Sequence, residues 1–205
     1  MILRKPRGAY HHGDLRDALV RATLDIVDRD GTGAVSLSAA ARRVGVSPQA
    51  SYNHFPAKAD LLAAAAEVVM HELAAAMRAR AAGARSPGDR FERLGIAYVE
   101  FAAAHAARFR LLGVPELADQ SPHAGLLAAR AASSAALVAV VEDCIAAGVV
   151  RASDPLKLAR AAWAMVHGVA ALVIEGQLVG DPAALARDAI RTLFKGLRVP
   201  PPGSA

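Results

Sequence analysis

Five times in this 205-residue chain a serine or aspartate stands immediately before a proline: Ser47-Pro48, Ser86-Pro87, Ser121-Pro122, Asp154-Pro155 and Asp181-Pro182. Each pair joins a side chain that can accept from orphan N–H groups to a residue whose fixed φ and missing N–H suit the first helical position. Each is followed by a helical pattern, and glycines close the segments: Gly31 and Gly33 the first, then Gly83, Gly113, Gly148 and Gly180. This punctuation predicts helices over 14–30, 37–44, 48–54, 58–82, 87–105, 106–112, 122–148, 155–179 and 182–198. No hairpin signal or period-two stretch competes with it, so the fold class is all-α. Hydrophobic residues make up 54% but aromatics only 4%, much of the remainder being alanine, which calls for close helix-on-helix packing with small residues at the contacts. The length allows one large domain or two small ones. We place the change from a small N-terminal three-helix bundle (14–60) to a larger C-terminal one (61–198) inside the long fourth helix, around Leu61 to Met70. A shared helix couples the two parts mechanically. Residues 1–13 form a basic arm and 199–205 a disordered Pro-rich tail.

Residues 36–58, SLSAAARRVGVSPQASYNHFPAK, are the most specific stretch. Ser36 can cap a short helix from Leu37 to Val44. Gly45 offers the positive φ of a tight turn, and Ser47-Pro48 opens a second short helix. Gln49, Ser51, Tyr52, Asn53 and His54 crowd that second helix, which is too polar to cover a core. Leu37, Val44, Val46 and Phe55 fall where the two helices must pack. Pro56 stops the second helix, and Lys58 begins the next. A short helix carrying hydrogen-bonding side chains and one aromatic body is what entry into a DNA major groove needs.

The pattern Gly45-Val46-Ser47, Tyr52, His54-Phe55 and Lys58 resembles the DNA-binding domain of TetR/AcrR-type transcriptional regulators. The segment from Tyr10, His11, His12 and Gly13 into the amphipathic first helix is similar to the first helix of the same family. Trp163-Ala164-Met165-Val166-His167-Gly168 resembles the W-x-x-x-H-G signature of one of its C-terminal subgroups, as does the run Tyr98 to Leu112. The resemblance implies a helix-turn-helix joined by a long helix to a C-terminal ligand-binding and dimerisation bundle. It further implies a homodimer closed by a four-helix interface, and a repressor acting on a palindromic operator in double-stranded DNA. Tyr52 and Lys58 take phosphate roles from the family. Two departures stand out. Ser38 occupies a position where many relatives carry a basic residue, and Ser51 one where many carry a larger apolar residue. These leave base preference open and allow a weakly packed reading helix.

Side-chain chemistry assigns the remaining DNA roles. The Gln49 and Asn53 amides suit adenine, and Ala50 suits a thymine methyl. Ser36, Ser47, Tyr52, His54 and Lys58 suit phosphates, with Ser38 and Pro48 on the same surface. In the C-terminal bundle, Tyr98, Phe101 and His105 share one helix face, and Trp163 and His167 are neighbours at i and i+4. With Phe109, Leu112 and Val166 they would give an effector pocket apolar walls and a few polar groups. The same aromatics also read as ordinary core, and His167 is the strongest single candidate for a ligand contact. Ala161, Ala164, Gly168 and Ala171 form a small-residue stripe. Leu185, Ala189, Ile190, Leu193, Phe194 and Leu197 form an apolar face, and both serve equally a dimer interface or the subunit core.

A net charge of +5 and a pI near 9.9 permit nucleic-acid binding. The arm residues Arg4, Lys5 and Arg7 read either as a groove-contacting arm or as a solvated tail. The single cysteine, Cys144, excludes an intrachain disulfide and sits among Val140, Val141, Ile145 and Val149, an inert core thiol in a cytoplasmic protein. No stretch is apolar enough to span a bilayer once charges and glycines are counted, and no apolar region follows the basic N-terminus, so neither membrane nor secretion is expected. The rival reading is an all-α metal-binding or enzymatic bundle. Glu67 and His71, at i and i+4, are its best pair, but neither H-E-x-x-H nor Glu-x-x-His occurs, nor any nucleophile elbow or phosphate loop. We therefore expect no catalytic residues, no metal and no cofactor.

Overall fold

The computed structural model describes residues 12–119, 121–151 and 153–197. The basic arm with Arg4, Lys5 and Arg7, the residues Tyr10 and His11, and the tail 199–205 lie outside the described residues. Helices run in the order α1 (His12–Asp30), α2 (Leu37–Val44), α3 (Pro48–Tyr52), α4 (Lys58–Ala81), α5 (Pro87–Ala104), α6 (Ala106–Leu111), α7 (Ala124–Ala146), α8 (Pro155–Ile174) and α9 (Pro182–Leu197). Single 3-10 turns stand at Thr32–Ala34 and Pro115–Leu117. No strand occurs among the described residues.

The caps behave as their chemistry requires at four of the five Ser/Asp-Pro pairs. Ser47 Oγ accepts from Ala50 N at 3.3 Å and Ser86 Oγ from Asp89 N at 3.1 Å. Asp154 and Asp181 likewise accept from the first-turn amides of α8 and α9. Ser121-Pro122 does not open a helix. Asp119 Oδ1 accepts from both Ser121 Oγ (2.8 Å) and Ser121 N (3.0 Å), so the serine is spent in a turn. Helix α7 starts later, at Ala124, and the side chain of the preceding His123 does not cap it. Helix α8 ends at Ile174 rather than at 179, because Gly176 takes φ +73° and lets Gln177 N reach Leu172 O at 2.8 Å. Helix α3 is shorter than expected, since its last turn closes through His54 N and Phe55 N, both donating to Ser51 O.

Helix α4 is the shared element. Leu61, Leu62, Ala65, Ala66, Val69, Met70 and Leu73 are buried along it, and the helix packs against α1 of the N-terminal bundle and α5 and α7 of the C-terminal one. One hydrophobic core therefore runs unbroken from Leu19, Val27, Leu37 and Phe55 through α4 to Val99, Val140 and Ile190. Around α5 the remaining helices gather, with α4, α7, α8 and α9 all packed against it. The apolar face expected of α9 is unevenly buried. Ile190 is fully buried, whereas Leu185, Ala189, Leu193 and Phe194 are half-buried, Phe194 packing edge-on against Phe91 at 5.0 Å.

The expectation that no segment is apolar enough to span a bilayer holds only with charges and glycines counted. By length and composition, with a few charges allowed, α7 and α8 are long and apolar enough to qualify, because alanine raises hydropathy without adding bulk. Both are packed in the C-terminal bundle. Cys144 is buried, and burial pushes its thiol up to about 11, so it stays protonated at neutral pH.

Close approach of α5 to α9 requires Gly95. A Cβ there would stand 2.5 Å from Ile190 Cδ1 and 3.2 Å from Val166 Cγ1. Overpacking of this kind costs about 1–3 kcal/mol, against about 1 kcal/mol gained in helix propensity. Urea denaturation of Gly95→Ala should therefore show a net loss of stability. Adding Ile190→Val, which removes the overlapping methyl, should return part of it. Two variants of independent, additive cost would contradict this packing.

Candidate nucleic-acid interface and effector site

The reading head is assembled by local hydrogen bonds. Ser36 Oγ accepts from Ala39 N at 3.1 Å to start α2. Gly45, at φ +81°, then turns the chain, its N–H donating to Ala41 O at 3.0 Å. Helix α3 is held from beneath by two residues. Phe55 is 2% exposed, and Ser51 is fully buried with its hydroxyl donating to Pro48 O at 2.7 Å. The same hydroxyl lies 3.4 Å from Leu37 O of α2. Ser51 is thus an anchor and not part of the polar surface, and the short helix is firmly seated despite its small side chain. Arg16 of α1 lies over the Phe55 ring, 5.2 Å from its centroid.

Across α2, α3 and the start of α4, most of the expected residues face outward. Ser36, Ser38, Ser47, Pro48, Gln49, Tyr52 and Asn53 are exposed, and Ala50, His54 and Lys58 are half-buried. Tyr52 projects a large aromatic body at 48% exposure. Lys58 is already paired within the chain, its Nζ standing 3.0 Å from Glu116 Oε1.

In the C-terminal bundle, Tyr98, Phe109, Trp163 and His167 come together, and Phe101 and His105 form a separate pair. Tyr98 packs edge-on to Phe109 at 5.5 Å. His167 lies 5.6 Å from Phe109 and 5.4 Å from Trp163, and Phe101 4.8 Å from His105. Tyr98, Phe101 and Phe109 are buried, while Trp163 at 51% exposure and His167 and His105 reach the surface. The Tyr98 hydroxyl meets His167 Nδ1 at 2.9 Å. Burial pushes that phenol up to about 12, so it stays protonated at neutral pH. Desolvation lowers the His167 pKa and so favours the neutral imidazole, whose tautomer sets which of the two atoms donates. Leu112 and Val166 pack against the same core.

Two further features had no local signal in the sequence. Arg108, beside Phe109 on α6, forks between the two bundles. Its Nη2 donates to Asp28 Oδ2 of α1 and its Nη1 to Glu72 Oε1 of α4, each at 2.8 Å. Its partners lie 80 and 36 residues away. Second, a cleft at the junction is lined by Arg16, Asp60, Glu67 and His123. Glu67 and His71 are 3.9 Å apart. Among the described residues no three His, Cys, Asp or Glu side chains converge as a metal site requires.

A helix-turn-helix head on an all-helical two-bundle subunit defines a DNA-binding transcription regulator. The family model described as bacterial regulatory proteins of the tetR family matches residues 19–65. A second, described as the tetracyclin repressor-like C-terminal domain, matches residues 91–193 and so includes Trp163, His167 and Gly168 without naming a subgroup. The chain belongs to the TetR family. None of the curated proteins matches it by sequence. A protein of unknown function from Rhodococcus sp. RHA1 is 32% identical, with TM-score 0.80 over 94% of this chain and 100% of that one. The TetR family regulator PfmR from Thermus thermophilus is 19% identical, with TM-score 0.68 over 88% and 99%. RolR, solved with resorcinol, is 14% identical, with TM-score 0.67 over 92% and 90%. The last two share the fold.

The Tyr98–His167 pair has a pH consequence. A histidine whose folded pKa lies below the unfolded value of about 6.5 binds fewer protons in the native state. Its stabilising contribution is present above that pH and is lost as the pH falls below it. Thermal melts from pH 7.5 to 5.5 should show a fall that is smaller in His167→Gln. Equal falls in both proteins would assign the acid sensitivity to other groups.

Proposed function

We propose that the chain is a ligand-responsive repressor which binds a palindromic operator as a homodimer and is released by a small apolar or aromatic effector. The observation that carries this reading is the reading head itself. Its polar side chains face outward from a five-residue helix that Ser51 and Phe55 fix to the core. Gln49 and Asn53 would read adenine edges and Ala50 a thymine methyl. Ser36, Ser38, Ser47, Tyr52, His54 and Lys58 would hold the phosphates that set register. One such helix makes few contacts, so two copies are needed, about 34–36 Å apart on one face of the duplex.

The dimer surface is α8 with α9. Trp163, Ala161 and Ala164 are exposed there, and Met165, Ala189 and Leu193 line a shallow apolar groove between the two helices. The effector site is the cluster of Tyr98, Phe101, His105, Phe109, Trp163 and His167, where the Tyr98–His167 hydrogen bond supplies polar recognition. The resorcinol complex of RolR supports a small aromatic ligand in this fold. A ligand seated beside Phe109 moves α6. Arg108, the adjacent residue, passes that movement to Asp28 on α1 and Glu72 on α4. Release follows only if the ligand binds the DNA-incompetent arrangement more tightly. Such a protein works on cytoplasmic DNA and carries no catalytic step.

In vitro selection of random duplexes at physiological salt should enrich an inverted repeat; a pool without any enriched motif would leave charge-driven binding alone. On the selected site, Gln49→Ala should cost about 1–3 kcal/mol and relax specificity at one position of each half-site. Lys58→Ala should weaken all duplexes alike and lower the salt slope. A uniform loss from Gln49→Ala would remove its base-reading role.

A further inference from the structure

The lysine that the proposed function sets against a DNA phosphate is already holding an oxyanion. Lys58 is the first residue of α4, and its Nζ stands 3.0 Å from Glu116 Oε1. Glu116 belongs to the 3-10 turn Pro115–Leu117 that follows α6, and Leu117, 2% exposed, pins that turn into the core. Backbone hydrogen bonding and the lysine both hold the Glu116 carboxyl below the usual range, so it is anionic at neutral pH. The connection from α6 to α7 touches the start of α4 a second time. His123 Nδ1 lies 3.6 Å from Asp60 Oδ1, with the His123 side chain only 8% exposed. Two polar contacts therefore tie the C-terminal bundle to the first turn of the helix that follows the reading head.

We propose that Glu116 is an internal stand-in for DNA phosphate, occupying Lys58 in the free protein and surrendering it when the protein docks on a duplex. The proposal rests on the phosphate role of Lys58 given above. A carboxylate and a phosphate oxygen make the same demand on an ammonium group, and the Glu116 contact at 3.0 Å competes with any phosphate for Lys58. The pair is 38% and 40% exposed, so it adds little to the fold, and its main effect falls on the competing equilibrium. Because a phosphate contact carries no sequence information, the latch scales affinity for all duplexes equally. Since Glu116 follows α6 closely, any shift of α6 alters the strength of the latch.

The test is a double-mutant cycle with Glu116→Gln, Lys58→Ala and the double variant, read as dissociation constants for the selected operator and for an unrelated duplex. Thermal melts check that each variant folds. Glu116→Gln should tighten binding to both duplexes by roughly two- to five-fold, the range expected for an exposed ion pair. The gain should vanish in the Lys58→Ala background. A gain that persists without Lys58 would mean general removal of negative charge near DNA and would overturn the latch. So would the absence of a gain where Lys58→Ala alone weakens binding. If Lys58→Ala leaves binding unchanged, the phosphate role of Lys58 and the latch fall together, while the selected inverted repeat would still stand as a test of the broader function.

Discussion

The buried face of α4 is the constraint on which the rest of the subunit depends. From Leu61 to Leu73 it carries buried apolar side chains, and it packs against both α1 and α5, so the two bundles share one core. Packed interiors are dense and transmit displacement rather than absorb it. A DNA-reading head joined by a loop would move independently of what happens near Tyr98 and His167. Joined through a common helix and a common core, it cannot.

Polar contacts refine that coupling at three places on the seam. Arg108 grips α1 and α4 through Asp28 and Glu72, Glu116 grips the first residue of α4, and His123 faces Asp60 in the same first turn. All three come from the stretch that runs from α6 to the residue before α7. Phe109, in the aromatic cluster, is the immediate neighbour of Arg108. The short helix α6 therefore has one side in the cluster and the other in the seam. Hydrogen bonds from the Arg108 fork to two carboxylates, chiefly Asp28, raise its pKa further, so the guanidinium stays charged throughout the physiological pH range.

Much of this was legible before any coordinates. Ser36, Gly45, Ser47 and Pro48 act over three or four residues, and local hydrogen bonding and φ preferences are written in neighbouring letters, so α2 and the turn fell where expected. Two of the local differences arose where a nearer competitor existed. Asp119 took the Ser121 hydroxyl away from α7, and Gly176 ended α8 before Gly180 could. Ser51 was misjudged for another reason. Its polarity is satisfied by carbonyls of Pro48 and Leu37, the second of them 14 residues away, and composition alone cannot tell a satisfied buried hydroxyl from an exposed one.

The amino-acid sequence by itself determined the all-helical class, the reading head, the family resemblance and the residue types that meet around His167. These depend on periodicity, caps and short motifs, whose range is a helical turn or two. Tertiary structure alone decided that Ile190 belongs to the core, that Trp163 faces outward, that Lys58 is held by Glu116 and that Arg108 bridges both bundles. The polar contacts among these join residues separated by 36 to 80 positions. Charge at such separation acts only once packing has brought the partners within a few ångströms, so no spacing rule could have announced them.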